Sequence, residues 1–299
     1  MSPSRVTCIG IGNMGSALAK TLLKANVAVT LWNRTRDRAQ VDSAISAGGE
    51  FVSDITEAVA RNDIIIICLF DYNTLNQAFA PLENIKSALL NKRVVNLTNG
   101  TPSQAREAER WMKARGAAEY YDGGVMVTPE LVGTPHSFLV YSGENEGSWS
   151  AESGLANTLK PLGQALYIAP DAGAAAVFDL AALSAMYGMF SGAFMGMGLI
   201  KKQGGKVLPG VEKVMAPLLG ALVPYLGLIA KSIDEETWDD NLGNPLGMQL
   251  AGVRNILQAC KEEGVDGTGL EHLARLMEEV VKERGGDGGI AAVGQRVLQ

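Results

Sequence analysis

Few residues in this chain could hold a metal or close a disulfide: its 299 residues include two histidines and three cysteines. His136 and His272 have no HxxH partner and no carboxylate cluster beside them, so no metal site is expected. Cys8, Cys68 and Cys260 are scattered, which fits reduced thiols packed as small hydrophobes rather than a disulfide frame. Positive charge is also short. Against 32 Asp and Glu stand 26 Lys and Arg, a formal net charge of −6, and no basic stripe exists to neutralise nucleic-acid phosphates. Charged residues make up 19% and hydrophobic residues 47%, the balance of a soluble protein with large buried surfaces. The opening Met1-Ser2-Pro3-Ser4-Arg5 lacks the apolar core of a signal peptide, so a cytoplasmic protein is expected. One stretch, Leu180 to Ile200, has no charged residue and approaches the ~20 residues a bilayer crossing needs. Its Ala, Gly and Met content, with Asp171 and Asp179 before it rather than basic residues, favours a helix buried between protein surfaces.

What the sequence does contain is concentrated in its first forty residues. Arg5 to Ile9 reads as a short buried strand. Gly10-Ile11-Gly12-Asn13-Met14-Gly15 follows at once, and a helix runs from about Met14 to Ala25 through Leu18, Leu22 and Leu23. The first two glycines permit a tight turn and let backbone N–H groups approach a pyrophosphate. Gly15 lets the helix pack closely on the strand, and the helix N-terminus adds its positive dipole. Set in a βαβ unit, this GxGxxG motif indicates dinucleotide binding; the alternative is a plain αβ turn. The second strand, Val27 to Trp32, ends at Asn33-Arg34-Thr35, with Arg36 and Arg38 beyond. An Asp or Glu there would bind a ribose 2′-hydroxyl. Guanidinium, hydroxyl and amide donors instead suit a 2′-phosphate, so NADP(H) is favoured over a merely solvated basic loop.

The first half continues to alternate. Helices are expected near Arg38–Ala47, Ile55–Ala60 and Leu82–Leu90, and strands at Phe51-Val52, Ile64–Leu69, Arg93–Leu97, Glu119–Tyr121 and Phe138–Ser142. The unbroken apolar run after Asp63 is typical of a parallel strand buried on both faces. Thr101-Pro102-Ser103-Gln104 reads as a capping box with proline at the first helical position, opening a helix Gln104–Arg115. The fold class is therefore α/β, a doubly wound parallel sheet, with the direction of the later strands left open. From about Leu166 strands give way to helices at roughly Ala172–Lys202, Leu208–Ser232, Pro245–Glu263 and Leu270–Glu283. Two domains are expected, 1–165 for the dinucleotide and 166–299 helical. A helix of about thirty residues would be roughly 45 Å long, more than a small domain, so its Ala/Gly/Met surface implies a dimer with interlocking helical halves.

Ligands of an open α/β sheet sit beyond the carboxyl ends of its strands. Three such ends are informative here. Leu69-Phe70-Asp71-Tyr72 should run along the cofactor. Asn99, in Thr98-Asn99-Gly100-Thr101-Pro102, offers an amide near the nicotinamide or the reacting carbon. Gly123 to Pro129, with Met126 and Thr128, should wall the substrate site. Each could also be a plain loop.

Together with Trp32-Asn33-Arg34-Thr35, Asn96 to Pro102 and Asp179-Leu180…Met186-Tyr187-Gly188, these segments resemble the imine reductases, especially the fungal-type reductive aminases. The resemblance extends through Met248-Gln249-Leu250. It implies a Rossmann domain, a long interdomain helix and an intertwined all-α dimer. It also implies an NADPH site in the cleft between one subunit's Rossmann domain and its partner's helices. Gly10, Gly12, Asn13, Met14, Gly15, Asn33, Arg34, Thr35, Arg38, Leu69, Asn99 and Thr101 would then touch the cofactor. Asp179 and Tyr187 would serve the substrate nitrogen, and Asn99 the carbonyl or its water. The substrates implied are an imine, or a ketone plus an amine. Met248 and Gln249 match a pocket-lining pair, whereas Leu218 stands where the family carries a bulky aromatic.

The β-hydroxyacid dehydrogenases of the wider superfamily use a lysine at the start of the interdomain helix and an asparagine one turn on. Neither residue type occurs between Lys160 and Lys201; the polar side chains at the start and middle of the helix are Asp179, Ser184 and Tyr187. A carboxylate suits a cationic iminium, which a lysine would repel. On a regular helix Asp179 and Tyr187 differ by about 80° in direction and roughly 12 Å along the axis. Tyrosine leans back toward the helix N-terminus, and a kink at the glycines would bring them closer. The structural alternatives are a carboxylate beside a helix start and a packed aromatic. The functional alternatives are a β-hydroxyacid dehydrogenase and a non-catalytic NADP-binding protein.

Overall fold

The computed structural model describes residues 4–83, 87–150 and 154–298. It divides into two compact units, Met1–Leu183 and Ser184–Gln299. In the first, eight strands form one sheet: β1 (Arg5–Ile9), β2 (Ala28–Trp32), β3 (Glu50–Phe51), β4 (Ile64–Ile67), β5 (Arg93–Asn96), β6 (Glu119–Val125), β7 (Phe138–Ser142) and β8 (Gln164–Tyr167). Their order is β3-β2-β1-β4-β5-β6-β7-β8. Every neighbouring pair is parallel except β6 and β7, which run antiparallel. The helices of this unit are α1 (Asn13–Lys24), α2 (Ala39–Ser46), α3 (Ile55–Arg61), α4 (Tyr72–Phe79), α5 (Pro102–Lys113), α6 (Glu146–Ser150) and α7 (Leu155–Leu159).

The apolar run of β4 shows why the sheet is covered on both faces. Ile64 and Ile66 join a core with Leu18, Leu22, Tyr121, Tyr141 and Trp149. Ile65 and Ile67, pointing the other way, join one with Ile9, Trp32, Ile55, Phe79 and Tyr120. With side chains alternating across a strand, four consecutive isoleucines supply both cores, each worth about 1.5–3 kcal/mol of burial.

Several elements differ from the sequence reading. The helix expected at Leu82–Leu90 is not formed by its described residues. A 3-10 turn covers Ala80–Leu82 and turns cover residues 87–90, while residues 84–86 lie outside those described. The helix lies earlier, as α4, in a segment for which the sequence reading assigned no element. Asp71 caps it, accepting from Thr74 N at 2.7 Å and Thr74 Oγ1 at 2.6 Å, and Tyr72, Leu75 and Phe79 form its buried stripe. Strand β6 runs on through Gly123 and Gly124, which were expected in a loop. Strand β8, which straddles the expected boundary at 165, was not foreseen.

The long helix α8 (Ala174–Lys202) spans the division between the units. The second unit continues with α9 (Val207–Gly210), α10 (Ala216–Asp234), α11 (Leu246–Glu263), α12 (Thr268–Arg284) and α13 (Ala291–Leu298). The single helix expected over Leu208–Ser232 is interrupted by a π-helical turn at Val211–Met215. Pro217, lacking an N–H and crowding the carbonyl one turn earlier, explains the widened turn. Leu246, Leu250, Met277, Val280, Ala292 and Val293 form this unit's own core. Both α8 and residues 207–234 are long and apolar enough to cross a bilayer by length and composition alone. Much of their apolar surface is exposed in the single chain, Phe194 at 67% and Leu226 at 62%.

Candidate active site

The glycine turn between β1 and α1 forms as its spacing requires. Gly10 has φ +94°, and a Cβ there would lie 2.3 Å from the Cys68 carbonyl oxygen; at Gly15 it would lie 1.9 Å from that of Gly10. At Gly12 it would meet nothing within 4 Å, so this is the point where a ligand's phosphates could approach the backbone. Gly12 caps α1 without a side-chain hydrogen bond, and no acidic residue occupies the first turn. The N–H groups of Asn13, Met14 and Gly15 thus point out of the helix start with no intrahelical acceptor, a ready anion site.

Around this turn runs a cleft of about 610 Å³ lined by Gly10, Gly12, Asn13, Met14 and Gly15, by Asn33, Arg34, Thr35 and Arg38, and by Leu69 and Phe70. Most of the expected cofactor residues therefore share one groove. Asn33 has a task that the sequence did not reveal. Its Oδ1 accepts from Ile11 N at 2.9 Å and its Nδ2 donates to the Thr35 carbonyl at 2.7 Å, bracing the glycine turn against the end of β2. Arg34 donates to Gln77 Oε1 at 3.1 Å, and Arg36 is paired with Asp42 at 2.6 Å. Arg38, exposed at the start of α2, has no ion-pair partner among the described residues. One unpaired and one weakly held guanidinium at the rim fit a 2′-phosphate. The donors, the open cradle at Gly12 and the uncapped helix suit a phosphorylated dinucleotide.

Asn99 and Thr101 lie at the end of β5, outside that cleft lining. Thr101 is the N-cap of α5, and the capping box with Gln104 forms in full. Asn99 reaches across to α8, its Nδ2 donating to Asp179 Oδ2 at 2.6 Å. Asp179 is 8% exposed, and burial raises its carboxyl above the ordinary aspartate range while the Asn99 bond opposes the rise. Gly124 makes room for it, since a Cβ there would sit 3.0 Å from Asp179 Cγ. The start of α8 is pinned from two sides. Ser142 Oγ donates to the Ala172 carbonyl at 2.9 Å and accepts from Ala175 N at 2.8 Å, and Arg106 makes a two-pronged contact with Asp171. A buried carboxylate is thus held at a fixed place, with an amide on it and no ammonium near it in sequence.

Met126 is half-buried and bonded through its N–H to Phe138 O at 3.1 Å, and Thr128 is exposed. The remaining sites belong to the second unit. Tyr187 is 62% exposed and stacks edge-on against Phe190 with ring centres 6.1 Å apart. Leu218 and Met248 are 58% and 68% exposed, and Gln249 Nε2 donates to Asn244 O at 2.7 Å.

Fold and cleft together define a Rossmann-type dinucleotide-binding protein with an acidic, not basic, polar group at the start of its long helix. Comparison with known proteins narrows this. A family model described as the NAD binding domain of 6-phosphogluconate dehydrogenase matches residues 5–146. Another, NADPH-dependent reductive aminase-like, C-terminal domain, matches residues 171–298. The NADPH-dependent reductive aminase of Aspergillus oryzae is 38% identical over 286 residues, covering 95% of this chain and 94% of its own. The structure of a reductive aminase from Aspergillus terreus in complex with NADPH and ethyl levulinate aligns with a TM-score of 0.89 at 35% identity, over 99% of this chain and 100% of that one. An imine reductase from the same organism, in complex with NADPH4 and dibenz[c,e]azepine, aligns at 0.85 and 35% identity with the same coverage. The chain belongs to the NADPH-dependent reductive aminase family of imine reductases.

Proposed function

We propose that this protein reduces imines to amines with NADPH, and that it accepts a ketone and a small amine as precursors of the imine. The observation that carries the reading is the buried Asp179 carboxylate 2.6 Å from the Asn99 amide. The dehydrogenases of this architecture would need a lysine there. When bound, NADPH supplies hydride to the C=N carbon. Asp179 stabilises the positive charge of the iminium, an electrostatic task suited to a fixed, buried carboxylate. Asn99 orients that carboxylate and favours its charged form; its second N–H can donate to the ketone oxygen, and its Oδ1 can accept from the water released on condensation. Tyr187 orients or protonates the nitrogen. Gly10 to Gly15 with Asn33, Arg34, Thr35 and Arg38 bind the phosphates, Leu69 and Thr101 flank the cofactor, and Met126, Thr128, Leu218, Met248 and Gln249 shape the substrate pocket.

The exposed apolar surface of residues 184–298 supports a homodimer, in which a second copy covers that face and completes the site. On this reading the division of labour is a nucleotide-binding part, 1–165, and a helical part, 166–299. The enzyme works in the cytoplasm without a membrane or nucleic-acid partner. Incubation with NADPH and a pyrroline, then with cyclohexanone plus a small amine, tests the function. Cofactor oxidation with either supports it. Oxidation only with a keto acid would favour a hydroxyacid dehydrogenase, and none with any substrate a non-catalytic role.

A further inference from the structure

Behind the Asn99–Asp179 pair lies a second carboxyl with no place in the chemistry above. Asp122, in β6, is 2% exposed. Its Oδ1 accepts from Tyr72 OH at 2.9 Å and Tyr120 OH at 3.3 Å. Asn96 Nδ2 donates to both phenol oxygens at 3.0 Å, and Asn96 Oδ1 accepts from Thr98 N at 3.2 Å, at the root of the loop that carries Asn99. The Tyr72 ring lies directly beneath that loop: a Cβ on Gly100 would come within 2.3 Å of Tyr72 Cε2. Two residues along the same face of β6, Gly124 backs the Asp179 carboxyl. Asp122 is therefore linked to the surroundings of the Asn99–Asp179 pair by two routes, through the Tyr72 ring under Gly100 and along β6 to Gly124.

We propose that Asp122, acting through Tyr72, is a positioning residue that holds the Asn99–Gly100 loop against Asp179 and ties the charge of Asp179 to its own. The inference rests on the imine-reductase reading above. The titratable and polar groups facing Asp122 are Tyr72 from α4, Tyr120 from its own strand, Asn96 from β5, Asp179 from α8 and, farther off, Glu109 from α5. Burial pushes Asp122 up to about 8, while the two phenols pull it down and Asp179 and Glu109 add to the rise. Its carboxyl therefore keeps its proton to a higher pH than an ordinary aspartate, and its ionisation would place a like charge behind Asp179.

Wild type, Asp122→Asn and Tyr72→Phe, each as the full chain, test this. The 13C carboxyl resonance of Asp179, assigned with Asp179→Asn, is followed against pH without added ligand. The expected result is a second inflection in wild type where Asp122 ionises, lost in Asp122→Asn. With NADPH and a preformed cyclic imine, the ratio of kcat in Asp122→Asn to that in wild type should change about threefold or more across the same pH window. Tyr72→Phe should lower kcat about tenfold at neutral pH with KM for NADPH nearly unchanged, the mark of misplacement rather than lost binding. A single-step titration of Asp179 in wild type overturns the proposal, as do parallel pH profiles combined with wild-type kcat in Tyr72→Phe. A wild type that reduces no imine would sink the proposed function alone, because the resonance titration is read without turnover. That titration in wild type also decides the matter if Asp122→Asn does not fold.

Discussion

Replacing Asn99 by alanine removes a hydrogen bond of 2.6 Å from a carboxylate that is 8% exposed. Hydrogen bonds to charged groups contribute roughly 1.5–3 kcal/mol, and little solvent is present to screen this one. The sign follows from which form of Asp179 is favoured. Burial already raises its folded pKa, so the folded state holds a proton more readily than the unfolded chain and stability falls as pH rises through the shifted value. Asn99 opposes that rise, and its loss widens the window. The Asn99→Ala variant should therefore lose about 1.5–3 kcal/mol relative to wild type on the alkaline side of the raised Asp179 value, where its carboxyl is charged. The deficit should shrink as the pH falls through the raised value and the carboxyl takes up its proton. Urea unfolding at a series of pH values measures both. The acidic limb of imine reduction should move toward neutrality in the same variant. An equal deficit at both ends of the pH range, or none at either, would refute the reasoning that Asn99 acts on the charged form of Asp179.

Two glycines of the first turn should behave differently from one another. Gly10→Ala forces φ +94° on an L residue and a Cβ to 2.3 Å from a backbone oxygen, so its melting temperature should fall by several degrees. Gly12→Ala has open space and should melt like wild type while binding NADPH at least tenfold more weakly by fluorescence titration. Replacing Arg34 and Arg38 together should weaken NADPH by about a hundredfold, from two lost charge-assisted contacts, and NADH little; equal losses would remove the 2′-phosphate assignment. Gly124→Ala brings a methyl group to 3.0 Å from Asp179 Cγ, and steady-state kinetics should show kcat reduced with NADPH affinity retained.

The dinucleotide half was legible because its signals are local. A strand, three glycines and an apolar-periodic helix occupy adjacent positions, and Thr101-Pro102-Ser103-Gln104 carries its own capping chemistry. Helix α4 was not legible, for Asn73, Thr74, Asn76 and Gln77 dilute its apolar stripe and the Asp71 cap resembles an ordinary turn. Strand β6 hid its end because two glycines, needed to admit Asp179 and the neighbouring β7 backbone, look like a loop in sequence. The Asn99–Asp179 pair links positions far apart in the chain, so the strand end pointed to Asn99 and the family resemblance to Asp179, but only the fold could bring them into contact. The network around Asp122 was missed for the same reason. Its members, Tyr72, Asn96, Tyr120 and Asp122, come from three elements, and only the Glu119 to Asp122 stretch hints at it, as an acid buried among aromatics.

The account depends on a fixed carboxylate meeting a cation, and single-turnover hydride transfer in Asp179→Ala addresses that most directly. With a preformed cyclic iminium and saturating NADPH, the account predicts a rate at least a hundredfold below wild type, as for removal of one preorganised electrostatic group, with NADPH affinity unchanged. A rate within about twofold of wild type would contradict it.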